Sequence, residues 1–124
     1  MKKYIILINT LLFCSLVNGQ AWIPILPNDS SQISAYYYSQ QPSMVLDSNG
    51  TPFIAFIENT DSSRIVVKKY NGSIWEKVGI GNPSGAYSSN PIIGINPSGE
   101  IYLAFKAYQS GYRVKKLNGK FIQN

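Results

Sequence analysis

Histidine is absent from the 124-residue chain, and cysteine occurs once, at Cys14. Without an imidazole, Ser-His and Cys-His nucleophile systems are excluded, as are the usual transition-metal sites built on those ligands. Acidic groups are scarce: Asp29, Asp47, Glu58, Asp61, Glu76 and Glu100 are all six. Glycosidase-type chemistry needs two acids flanking one bond, and Glu58 with Asp61 is the pair that falls near one loop. The matching stretch later in the chain, Ala107 to Ser110, has no acid, so a solvated loop accounts for the pair better than catalysis. No enzyme activity, no cofactor and no metal is expected.

Long apolar runs are also lacking, with one exception. Lys2 and Lys3 precede an apolar segment from Tyr4 to Val17, followed by Val17-Asn-Gly19, the layout of a secretory signal peptide. The segment is shorter than the roughly 20 residues a bilayer span requires, and no membrane span is expected elsewhere. Residues 1–19 are read as the signal and 20–124 as the mature chain, exported to the periplasm, the cell surface or the medium. Cys14 leaves with the signal, so no disulfide can staple what remains. Loss of Lys2 and Lys3 lowers the basic residues from 11 to 9 against 6 acidic. The Lys68-Lys69 and Lys115-Lys116 pairs split their charge across two strand faces, and no nucleic-acid partner is expected.

What the chain does have is a repeat. Pro42-Ser-Met-Val-Leu-Asp-Ser-Asn-Gly-Thr-Pro-Phe-Ile-Ala-Phe56 returns 49 residues later as Pro91-Ile-Ile-Gly-Ile-Asn-Pro-Ser-Gly-Glu-Ile-Tyr-Leu-Ala-Phe105. Val67-Lys-Lys-Tyr-Asn-Gly72 returns 47 residues later as Val114-Lys-Lys-Leu-Asn-Gly119. The first copy reads as a four-stranded meander: 43–47, 52–58, 64–70 and 74–78, with turns at Ser48-Asn-Gly50 and Asn71-Gly72. The second reads as strands 92–96, 101–106 and 112–117, with a fourth beginning at Phe121. Asn and Gly tolerate positive φ and close such hairpins. Asp47-Ser-Asn-Gly50 is too short for a calcium loop and is read as a turn. The segment Ala21 to Leu26 resembles the strand at Trp75 and is expected to be a lone outer strand. In Phe53-Ile-Ala-Phe56 and Tyr102-Leu-Ala-Phe105 both parities are apolar, so these strands are expected to be covered on both sides.

Such repeats of short strands mark a propeller-like array. The Pro before the first strand, the Asp or Asn three residues ahead of Gly, the aromatic-aliphatic-Ala-Phe strand and Val-Lys-Lys-Tyr-Asn-Gly-x-x-Trp resemble the blades of secreted bacterial β-propeller proteins. The resemblance implies an all-β fold in which 42–79 is one blade, 91–122 an incomplete blade and 21–26 an outer strand. The chain is similar at a distance to sialidase-type propellers. It departs from their Asp-box turn and has only Arg64 and Arg113 after the signal, so that activity does not carry over.

In propellers the connections into the innermost strand and between the second and third strands share one end, where ligands bind. Tyr36, Tyr37, Tyr38 and Tyr87 fall on the former and Tyr108 on the latter. These five are the candidate ligand-binding residues, suited to stacking on sugar rings or gripping a peptide. Two function classes follow: a non-catalytic module binding carbohydrate or protein, or a truncated fragment of a propeller hydrolase whose catalytic residues lie elsewhere. Two blades cannot close a ring of about four to eight, so either truncation or assembly of several copies into a homo-oligomer is expected.

Overall fold

The computed structural model describes residues 20–25, 33–34, 39–59 and 62–117. The signal segment, Tyr36, Tyr37, Tyr38, Asp61 and the stretch from Asn118 lie outside these. Seven strands form two antiparallel sheets. The first holds β1 (Ser39–Leu46), β2 (Pro52–Glu58), β3 (Arg64–Tyr70) and β4 (Trp75–Lys77) in that order, and the second β5 (Ser89–Ile95), β6 (Ile101–Ala107) and β7 (Gly111–Lys116). The described residues contain no helix. The all-β reading of the sequence therefore holds.

Turn chemistry explains where the strands stop. Asp47 Oδ1 accepts the N–H groups of Asn49 and Thr51 at 2.9 and 2.8 Å, while Gly50 takes φ 79°, which costs glycine no Cβ clash. Asn96 does the same in the second copy, accepting from Glu100 N–H at 2.8 Å, with Gly99 at φ 80°. Both are side-chain-braced hairpin turns of the kind Asp and Asn favour.

Two strands begin earlier than the sequence suggests. β1 and β5 extend back past Pro42 and Pro91 to Ser39 and Ser89. Each carries a bulge there, with the register slipping between Gln40 and Ser43 and between Ser89 and Ile92. Gln41 and Asn90, at the same repeat position, both adopt φ 53°. The bulge lets the ladder resume beyond a proline that has no N–H to donate.

The core lies between the sheets. From the first sheet come Phe53, Ala55, Ile57, Ile65 and Val67; from the second, Ile93, Ile101, Leu103 and Phe105. The two contributions are not equivalent. Phe53 and Ala55 correspond in the repeat to Tyr102 and Ala104, whereas Leu103 and Phe105 correspond to Ile54 and Phe56. One face of the repeat therefore packs on the opposite face of the next copy, and the contact is head-to-tail.

Coverage on both sides is realised in the first sheet only. Phe56 and Val66, on its outer face, are buried along with the core-facing residues. In the second sheet Ile92, Tyr112 and Val114 stand 64%, 76% and 70% exposed, because among the described residues no layer packs on that side. A second departure concerns the segment 21–26, expected as an outer strand, of which residues 21–25 are described. They join no sheet, and Trp22 is fully exposed rather than packed. The edge of β3 that such a strand would need is occupied by β4, with which Tyr70 pairs through Trp75.

Candidate functional site

The segment joining the two sheets positions the first tyrosine. After β4 the chain runs along the start of β3 and is fastened to it: Ile65 N–H donates to Ser84 Oγ at 3.0 Å, Tyr87 N–H to Ser62 O at 2.6 Å and Ser88 N–H to Ser63 O at 3.1 Å. Ser88 is buried, and its hydroxyl donates to Ser84 O at 3.1 Å. Tyr87 itself is held at φ 53°. Left-handed backbone at a residue with a bulky side chain costs about 1–2 kcal/mol, and the hydrogen bonds on either side hold it there.

The second tyrosine comes from the β6–β7 turn. Ser110 N–H donates to Ala107 O at 3.3 Å, and Gln109 and Gly111 take φ 58° and 72°. Tyr108 thus sits in a tight turn with left-handed residues beside it. The rings of Tyr87 and Tyr108 meet with centroids 5.8 Å apart and planes tilted by 55°. Neither is folded into the core, since 59% and 64% of their surfaces stay exposed. Two aromatic rings carried on tight, hydrogen-bonded segments, and largely exposed, suit a ligand that has both apolar faces and hydroxyls.

Of the five tyrosines singled out in the sequence, the structure brings Tyr87 and Tyr108 together; Tyr36, Tyr37 and Tyr38 lie outside the described residues. Sequence reading missed the residues that set the pair. Ser62 and Ser63 supply the carbonyls that lock Tyr87, and Arg64 donates from Nε to Ser62 Oγ at 2.8 Å, leaving an exposed cation at the same end. Their only signal was position, on the loop of the first copy that corresponds to the loop bearing Tyr108.

Three of the carboxylates do structural work. Asp47 braces its turn; Glu76 pairs with Lys69 at 3.6 Å and accepts from Asn71. Glu100 accepts from Lys116 at 2.6 Å, Tyr102 at 3.0 Å and Asn96 at 2.7 Å. The Lys116 hydrogen bond, then those of Tyr102 and Asn96, hold the Glu100 carboxyl below its ordinary pKa, and Glu100 in turn raises Lys116 and Tyr102. Among the described residues no cluster of three or more acids could hold a metal ion, and no helix is long and apolar enough to cross a membrane.

A further concavity lies on the outer face of the first sheet. It is an open groove of about 340 Å³ bordered by Ile33, Ser34, Gln40, Pro42, Ile54 and Phe56. Lys68 closes one side, its ammonium 5.9 Å from the Phe56 ring centroid and donating to Ile33 O.

Compared with models of protein families, with curated proteins and with solved structures, the chain matches none.

Proposed function

We propose that the chain is an exported, non-catalytic binding module of the β-propeller type, and that Tyr87 and Tyr108 form its carbohydrate-binding platform. Three features support the propeller reading. The meander is repeated, opposite faces of the repeat pack head-to-tail, and the first strands of the two sheets lie side by side. Export rests on the basic, then apolar, character of residues 1–19.

The observation that carries the ligand reading is Tyr87, a large aromatic held in a left-handed conformation by flanking hydrogen bonds while its ring remains open to solvent beside Tyr108. Backbone strain that persists at a mostly exposed aromatic, whose ring meets only that of Tyr108 at the surface, points to a recognition role. Stacking of a pyranose on one ring, with Arg64 within reach of its hydroxyls or of an acidic substituent, is the chemistry these groups support.

A glycan array probed with the full chain, followed by titration of the best hit into Tyr87→Ala and Tyr108→Ala, tests the reading. Each variant is expected to lose about tenfold or more in affinity, in line with about 1.4 kcal/mol for one aromatic contact. An array with no hit, or a hit that both variants bind as well as the parent, would overturn it.

A further inference from the structure

We propose that the β1–β2 turn is a site of spontaneous covalent modification, at which Asn49 closes a cyclic imide with the backbone nitrogen of Gly50, loses its amide nitrogen as ammonia and takes up water to become aspartate or isoaspartate. Asn71-Gly72, the same dipeptide in the β3–β4 turn, is held against this reaction. The modification stands apart from the carbohydrate reading and does not depend on it.

The reaction needs an asparagine whose Cγ can swing onto the next backbone nitrogen, and a next residue that leaves that nitrogen open to approach. The N–Cγ bond forms and the Cγ–Nδ2 bond breaks, the proton of the attacking N–H leaves with the amide nitrogen as ammonia, and water then opens the imide at either carbonyl. Most asparagines here are barred by their neighbour. Asn82, Asn90 and Asn96 each precede proline, whose nitrogen has no hydrogen to give up. Asn59 precedes a β-branched threonine, a type that crowds the approach, and its Oδ1 accepts from Ser63 Oγ at 2.9 Å. Among the described residues that leaves Asn49 and Asn71, both exposed and both followed by an exposed glycine. Nothing lies within 4 Å of where a Cβ would stand on Gly50 or on Gly72, so the attacking nitrogen is open in both turns.

Hydrogen bonding separates the two. Asn71 Oδ1 accepts the N–H groups of Ser73 and Ile74 at 3.0 and 2.9 Å, and its Nδ2 donates to Glu76. Ring closure at Asn71 must break all three. The Asn49 side chain has no hydrogen-bond partner among the described residues; only its backbone N–H is held, by Asp47 Oδ1 at 2.9 Å. The cost in this turn falls on the nucleophile instead, because Gly50 N–H donates to Asp47 O at 3.0 Å. One bond therefore opposes three. If an exposed bond restrains a group by roughly fivefold, the two further bonds slow Asn71 by roughly 25-fold relative to Asn49. The second copy of the repeat has no counterpart, since Ser98 stands where the first has Asn49. An isoaspartate at 49 routes the main chain through Cγ and places a new carboxylate near that of Asp47, whose Oδ1 braces the turn through the N–H groups of Asn49 and Thr51. The product loosens the β1–β2 hairpin.

Incubating the full chain in mildly alkaline buffer, which favours loss of the glycine N–H proton, and mapping its peptides by tandem mass spectrometry tests this. Exchange of NH2 for OH is expected at Asn49 about tenfold or more faster than at Asn71. The same chain in concentrated urea, where the turn bonds are gone, should bring the two rates to within about twofold of each other. Glu76→Ala removes one of the three bonds on Asn71 and should speed its loss by roughly fivefold while leaving Asn49 unchanged. Without urea, loss at Asn71 that equals or exceeds that at Asn49, or no loss at Asn49 over the time in which the urea-treated chain reacts, overturns the proposal. A Glu76→Ala chain whose Asn71 reacts no faster than the parent's overturns the account of its protection.

Discussion

The backbone N–H of Asn90 donates to Oε1 of Gln41 at 2.7 Å, and these residues hold the same place in the two copies of the repeat. Both are left-handed, so the bulge of β5 rests on the bulge of β1. Further along both strands, Ile93 N–H donates to Ser43 Oγ at 3.2 Å, and the two first strands run side by side in the same direction. Side chains of β1 thereby satisfy edge N–H groups of β5 that no strand pairs.

The two bonds are unequal in consequence. Ser43→Ala strands the N–H of buried Ile93 and is expected to destabilise the fold by about 1–3 kcal/mol, whereas Gln41→Ala exposes the Asn90 N–H to water and should cost less than about 1 kcal/mol. Urea denaturation of the two variants decides it, and equal losses would contradict this account of the β1–β5 seam.

Phe105 and Ile65 fill the middle of the core, at 1% and 0% exposure. Phe105→Ala is expected to cost about 3–5 kcal/mol and Ile65→Ala about 2–5 kcal/mol. Val114→Ala, at the repeat equivalent of buried Val67, should change the stability of a single copy by less than about 0.5 kcal/mol. Thermal and chemical unfolding at low protein concentration would reveal whether that asymmetry holds.

Tyr87→Gly separates strain from recognition. Glycine takes φ 53° without the clash a tyrosine suffers, so stability is expected to stay level or rise by up to about 1 kcal/mol. Carbohydrate affinity should fall at the same time. A variant that loses stability instead would mean that the exposed ring contributes to packing, and calorimetry on the same sample measures both quantities.

The Glu100 cluster sets a pH signature. Its depressed carboxyl contributes stability that is complete above the ordinary carboxylate pKa and lost as pH falls through the lowered folded value. The raised Lys116 and Tyr102 contribute below their ordinary values and lose that contribution as pH climbs through the raised ones. The stability difference between the parent and Glu100→Gln should therefore be flat through neutrality and shrink at both extremes. Titration by NMR should also find Lys116 and Tyr102 moving back toward ordinary values in the variant. A difference independent of pH would show that the cluster does not couple to folding.

Much of the strand layout was legible because the turns advertise themselves. Pro52–Glu58 and Arg64–Tyr70 lie where Asn, Asp and Gly place them. The early starts of β1 and β5 were hidden, since nothing in Gln41 or Asn90 as a residue type announces a left-handed bulge before proline. Nor does composition distinguish Ala55 from Ala104; one is sealed and the other half-open only because a sheet lies over the first. Trp22 and Trp75 read alike for the same reason, and differ because one strand has an edge to join. At the candidate site, Tyr87 and Tyr108 were expected at one end of the fold, whereas the hydrogen bonds that fix Tyr87 come from Ser62 and Ser63, far away in sequence.

Since the repeat meets its neighbour with unlike sides, a residue type common to both copies stands in two different settings. Phe56 and Phe105 are the same letter in the same place, yet one lines the rim of a groove and the other the heart of the molecule. Because each copy has its own codon at that place, Phe56 answers to the groove and Phe105 to the core, and the two halves of the chain are free to diverge there in different directions.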